Sequence, residues 1–109
     1  MKLTTLTTLC LGTLAAAIML APAAKSDDAS ATLYKQKCAG CHGADGKADS
    51  AMGKAMKIKS FADPDVVKMS DADLSDIIEK GKGKMPAYKT LTAEQVKGLV
   101  AYIRELGKK

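Results

Sequence analysis

Cys38, Cys41 and His42 stand together in the run Cys38-Ala39-Gly40-Cys41-His42. On a helical turn, side chains three positions apart point the same way. Both sulfurs can therefore reach one edge of a flat macrocycle, and each can form a thioether with a vinyl group of that macrocycle. The imidazole follows at once and can sit under the central iron. The spacing C-x-x-C-H is that of covalent attachment of one haem c, with His42 as one axial ligand.

Two other uses of paired cysteines fit less well. A thioredoxin-like dithiol needs a preceding strand and βαβ context, and no convincing strand pattern occurs in this chain. A zinc site needs about two further cysteine or histidine ligands. Outside the run the chain has one cysteine, Cys10, and no second histidine.

The sixth position of the iron can be filled or left open. Met52, Met56, Met69 and Met85 are the methionines beyond the first two dozen residues. Met85 lies in the glycine-rich run Gly81-Lys82-Gly83-Lys84-Met85-Pro86. Pro86 confines the backbone of Met85 to extended forms, which suits a residue that must leave the wall and reach a metal. Met85 is therefore read as the second axial ligand. Met52 and Met56 lie four apart and are read as pocket lining; Met69, just ahead of a helix, is read as packing. A thioether is soft and neutral, so it favours Fe(II) and raises the reduction potential. A filled coordination sphere suits one-electron transfer rather than oxygen activation, and the chain is not read as an enzyme. The alternative is a haem-based gas sensor or ligand-binding module with a labile sixth ligand. Peroxidase-like chemistry ranks below both, because no second histidine is present to assist it.

The elements that must position these residues follow from local signals. Asp27-Asp28 favours the start of a first helix running to about Cys38, and Gly43 to Gly46 breaks it. Residues 47–60 have no clean period and read as loop, with one helical turn around Met52 to Met56. Asp63-Pro64 reads as an N-cap with proline at the first helical position, opening a short turn through Val66 and Val67. Ser70 or Asp71 opens the next helix, where Leu74, Ile77 and Ile78 form an apolar stripe, and Gly81 ends it. Thr92 and Gln95 form a capping box for the last helix. Val96, Leu99, Val100, Ile103 and Leu106 then recur at helical spacing.

The 109 residues suffice for one domain. Residues 1–23 read as a cleaved signal peptide. Lys2 supplies the positive start, Leu3 to Leu20 carries no charge, and Ala21-Pro22-Ala23 offers a small-x-small cleavage site. Cleavage is expected after Ala23, with Ala24 the close alternative, and Cys10 is lost with this segment. An uncleaved anchor fits less well, because five threonines dilute the apolar stretch. The domain is then 24–109, and the expected location is periplasmic, with a thylakoid lumen the lesser option. Removing residues 1–23 takes away only Lys2, so the formal charge falls from +5 to +4. That excess favours an acidic docking surface on the partner. Basic residues are interleaved with acids and aromatics are few, so nothing points to nucleic acid. With one phenylalanine, three tyrosines and no tryptophan, so small a domain is marginal on its own core, and a large apolar cofactor would supply the missing centre.

The order of a signal peptide, a first helix, Cys38-x-x-Cys41-His42-Gly43, a middle helix, Met85-Pro86 and an amphipathic last helix resembles the small bacterial class I cytochromes c of the c6/c553-like kind. The likeness covers essentially all of 24–109. It implies an all-α class I cytochrome c fold, with short helices and long loops wrapped around one covalently bound haem. It also implies Cys38 and Cys41 as thioether cysteines, and His42 and Met85 as axial ligands. The first helix would pack on the last, with Ser30 and Tyr34 facing Leu99 and Tyr102. Redox proteins are the implied partners, membrane oxidase or reductase complexes among them. Lys35, Lys37, Lys47, Lys82, Lys84 and Lys89 lie near the motifs in sequence and have two equal readings, a ring around the cofactor edge that steers acidic partners or an ordinary solvated lysine surface. Two features depart from the family. Ser30 replaces the usual glycine, which would widen the helix crossing. No proline lies between His42 and Pro64 to supply the carbonyl that usually accepts the proximal histidine's N–H.

Overall fold

A computed structural model describes Gly12 and residues 28–109 of the chain. The signal peptide, its cleavage site and Cys10 lie outside the described residues. Within them the fold is all-α, as expected, with no strand beyond an isolated bridge between Lys82 and Met85. No helix among the described residues is long and apolar enough to cross a membrane.

The chain forms α1 (Asp28–Lys37) and α2 (Ala39–His42), separated only by Cys38. Two short elements follow, α3 (Ala51–Ala55) and α4 (Pro64–Val67), then α5 (Asp71–Lys80) and α6 (Ala93–Gly107). The starts of the later helices are chemically marked. Asp63 accepts from the N–H of Asp65 and is followed by proline at the first position of α4. Ser70 and Asp73 form a reciprocal capping box on α5, and Thr92 and Gln95 do so on α6; each such cap contributes on the order of 1 kcal/mol. Gly81 ends α5 at φ 75°, a conformation that a side chain would strain.

α6 is the spine. Val96, Leu99, Val100, Ile103 and Leu106 are all buried on one of its faces. α1 crosses that face with Ser30 and Tyr34, which lie one helical turn apart, and α5 packs on it with Leu74 and Ile78. With Phe61 these residues make one buried cluster. Where α1 meets α6, Gly98 faces Ser30, and a Cβ at position 98 would run into the Ser30 Oγ. The serine that departs from the family's glycine is thus met by a glycine on the opposing helix, and the crossing stays close. Tyr34 and Tyr102 meet there as expected, with ring centroids 5.1 Å apart.

Candidate functional site

The break between α1 and α2 falls on Cys38, at φ −114° and ψ −37°. One turn later the chain delivers Cys41 and His42, and Gly43 stops α2 at φ 81°. This short element is fastened at its end. The Tyr34 hydroxyl donates to the Gly43 carbonyl at 2.6 Å, and the Ser50 hydroxyl donates to the Cys41 carbonyl at 3.2 Å. Ser50 also caps α3, accepting from the N–H of Gly53 at 3.0 Å.

His42 is half-buried and lies against Phe61. The two rings are stacked at 4.9 Å between centroids and 26° between planes. Phe61 has a seat shaped by glycine. A Cβ on Gly46 would lie 2.5 Å from its ring, and one on Gly107 would lie 2.7 Å from its carbonyl oxygen. The Phe61 N–H donates to the Gly46 carbonyl at 3.0 Å. Burial lowers the pKa of His42, so the ring stays neutral, with a lone pair to offer, further into acid than a free histidine.

One cleft gathers the residues singled out by their chemistry. Its inner part is walled by Phe61, Val66, Met69, Leu74, Ile78, Leu99 and Ile103 together with Cys38, His42 and Met85. Its outer part is lined by Cys38, Cys41, His42 and Met85, with Met56, Ile58, Pro86 and Tyr88. Met85 is thus brought beside a motif more than forty residues away. Met56 and Met69 line the cleft as well, Met69 as a packing residue of the core margin. Met52, expected to line the pocket, does not share the cleft: it is 49% exposed.

Cys38 and Cys41 are not bridged to each other. Burial pushes the Cys38 thiol up to about 11, against a smaller lowering by Lys37. Reactive dithiol centres need the opposite shift, so disulfide exchange is poorly served here. No cluster of three or more His, Cys, Asp or Glu side chains able to hold a metal ion occurs among the described residues.

The His42 Nδ1 is buried and has no hydrogen-bond partner. The acceptor missing from the sequence is therefore missing from the fold among the described residues, and stacking on Phe61 orients the ring instead. A buried polar atom left unmet is uncommon. This one stands in a cleft with an apolar wall, two thiols and a thioether, a donor set that fits a large flat iron macrocycle attached through sulfur.

Sequence reasoning missed three features of the site. Phe61 lies in a stretch without periodicity. Tyr88 reads from sequence as an ordinary loop residue. Ala48 and Lys57 both adopt φ 55°, a left-handed conformation that non-glycine residues rarely take; no residue type announced it. Lys57 lines the outer cleft, and the Ala48 N–H donates to the His42 carbonyl at 2.8 Å.

A family model described as cytochrome c oxidase, cbb3-type, subunit III matches residues 25–103. The chain is also similar to a solved structure, the KustC0563 c-type cytochrome, with 34% identity and a TM-score of 0.63 over 71% of this chain and 95% of that one. No curated protein matches the chain. Helical fold, C-x-x-C-H motif and both likenesses agree: the chain belongs to the c-type cytochromes of the cbb3 subunit III family, a small monohaem electron carrier whose cofactor is covalently bound haem c.

Proposed function

We propose that residues 24–109 form an exported, periplasmic one-electron carrier in which Cys38 and Cys41 hold haem as thioethers and His42 and Met85 are its axial ligands. The observation that carries this reading is the meeting of Cys38, His42 and Met85 on one apolar cleft. Haem c, when bound, supplies a one-electron Fe(III)/Fe(II) couple.

The protein's part is to bind, orient and exclude. Cys38 and Cys41 fix the cofactor to α2, and Ser50 and Tyr34 hold the end of that element in place. His42 presents a neutral ring whose plane is set by Phe61. Leu74, Ile78, Leu99 and Ile103 keep water from the inner cleft. Met85 would hold the iron with a soft thioether from its place in the cleft wall.

Redox proteins are the partners, and membrane oxidase complexes are the class that the family description favours. Lys37, Lys57, Lys59, Lys82 and Lys84 line the cleft, which supports docking on acidic surfaces.

Met85→Ala tests the ligand assignment. The potential should fall by roughly a tenth to a few tenths of a volt, within the ~0.8 V that axial ligands command across haem proteins. The reduced variant should also bind CO. An unchanged potential and no CO binding would mean that Met85 is not the ligand.

A further inference from the structure

Met85 reaches the cleft from a loop with no helix of its own. The turn itself is closed at its base, where the Lys82 N–H donates to the Met85 carbonyl at 3.2 Å and the Met85 N–H donates to the Lys82 carbonyl at 3.0 Å. Those bonds fix the shape of the turn. They do not fix its distance from α2.

Tyr88 supplies that link. Its N–H donates to the Ile78 carbonyl, in the last turn of α5, at 3.0 Å. Its hydroxyl donates to the Lys37 carbonyl at 2.9 Å, across 51 residues of sequence. Lys37 is the last residue of α1 and adjoins Cys38. Its carbonyl is free for this bond for a reason visible in the backbone. In an unbroken helix the N–H of Cys41 would take it, but at the α1–α2 break that N–H turns to the Cys38 carbonyl at 3.2 Å. The Tyr88 ring lines both parts of the cleft beside Cys38, His42 and Met85. Partial burial raises the phenol's pKa, so it remains a donor well into alkali.

We propose that Tyr88 is a positioning residue for Met85: its hydroxyl latches the Met85 loop to the helix end that carries Cys38, and so sets how readily Met85 gives up the sixth position to another ligand. This rests on the reading of Met85 as axial ligand. The ring packs the cleft wall and the hydroxyl supplies the tether, so the two roles separate in a single-atom change.

The test compares the haem-loaded wild type, Tyr88→Phe, Met85→Ala and the double variant, each checked for covalent haem and helical content. The probe is imidazole, titrated into the ferric proteins while the main haem absorption band is followed in all four and the weak red band of methionine ligation in the two that retain Met85. Losing one partly exposed hydrogen bond should tighten imidazole binding roughly three- to tenfold in Tyr88→Phe, with the fold retained. In the Met85→Ala background the same change should leave imidazole affinity unaltered, because nothing remains to be displaced. The latch is overturned if Tyr88→Phe binds imidazole like wild type, or if its effect persists without Met85. A wild type that lacks the red band and matches Met85→Ala would overturn the ligand reading itself, and the latch with it. A wild type with the band and a silent Tyr88→Phe would overturn the latch alone.

Discussion

At the scale of the residue, the unusual feature is how His42 is held. A metal-binding histidine is ordinarily oriented by a hydrogen bond from its other ring nitrogen. Here Nδ1 has no partner among the described residues, and the flat face of Phe61 lies against the ring. Stacking fixes a plane but draws no electron density into the ring, so under the proposed ligation the imidazole would be a weaker donor than a hydrogen-bonded one. Phe61→Ala removes the stack, the edge contact with Tyr34 at 6.2 Å and a buried side chain together. It should cost about 3–5 kcal/mol, read as a lower denaturant midpoint of the haem-loaded protein. Phe61→Leu should retain much of that stability yet broaden the low-spin spectrum, because a branched side chain does not hold a ring plane. A spectrum unchanged in both variants would show that the stack does not orient His42. Cys38, Cys41 and His42 stand out in the sequence by type and spacing, and Met85 by its glycine-rich run and Pro86; the fold brings all four to one cleft. Phe61 was not, since its role depends on Gly46 and Gly107 meeting over it from distant parts of the chain.

At the scale of the element, the later helices were legible because their ends carry chemical signals. Asp63-Pro64 and Thr92 with Gln95 act as the sequence implies, and Ser70, one of the two openings expected for α5, is its N-cap. The α1–α2 break at Cys38 carries no such signal. Nor does the sequence show what joins the loop region to the spine. Arg104 does this: its guanidinium donates to the carbonyls of Val66 and Met69 and to the Asp71 carboxylate at 3.1 Å. One planar group thus closes the end of α4 and ties it, with the start of α5, to α6. From helical position alone Arg104 was one charge on the outer part of α6. Arg104→Ala should destabilise the protein by about 1–3 kcal/mol, measured by thermal or denaturant melting. Arg104→Lys should recover less than half of that, because an ammonium cannot reproduce the planar fork. Full recovery by lysine would reduce the tie to simple charge pairing with Asp71.

At the scale of the whole molecule, charge gathers around the cleft. Of the six lysines near the motifs in sequence, Lys37, Lys82 and Lys84 line it, whereas Lys35, Lys47 and Lys89 do not. Lys57 and Lys59 take their places, because the aperiodic stretch from 47 to 60 folds back over the cleft in a path that no local pattern encodes. If this face steers docking, electron exchange with a native acidic partner should slow by roughly tenfold or more between low and physiological salt. Lys57→Glu should slow it at low salt alone, where steering is unscreened. Rates independent of salt would remove electrostatic steering from the account and leave docking to apolar contact.

The most direct test of the central claim, a haem c held between His42 and Met85, is absorption spectroscopy of the haem-loaded protein in both oxidation states, with CO added to the reduced form. The account predicts a sharp low-spin reduced spectrum, a weak red band in the ferric form and no change with CO. A high-spin spectrum with ready CO binding would contradict it, leaving the haem in place but the sixth position open.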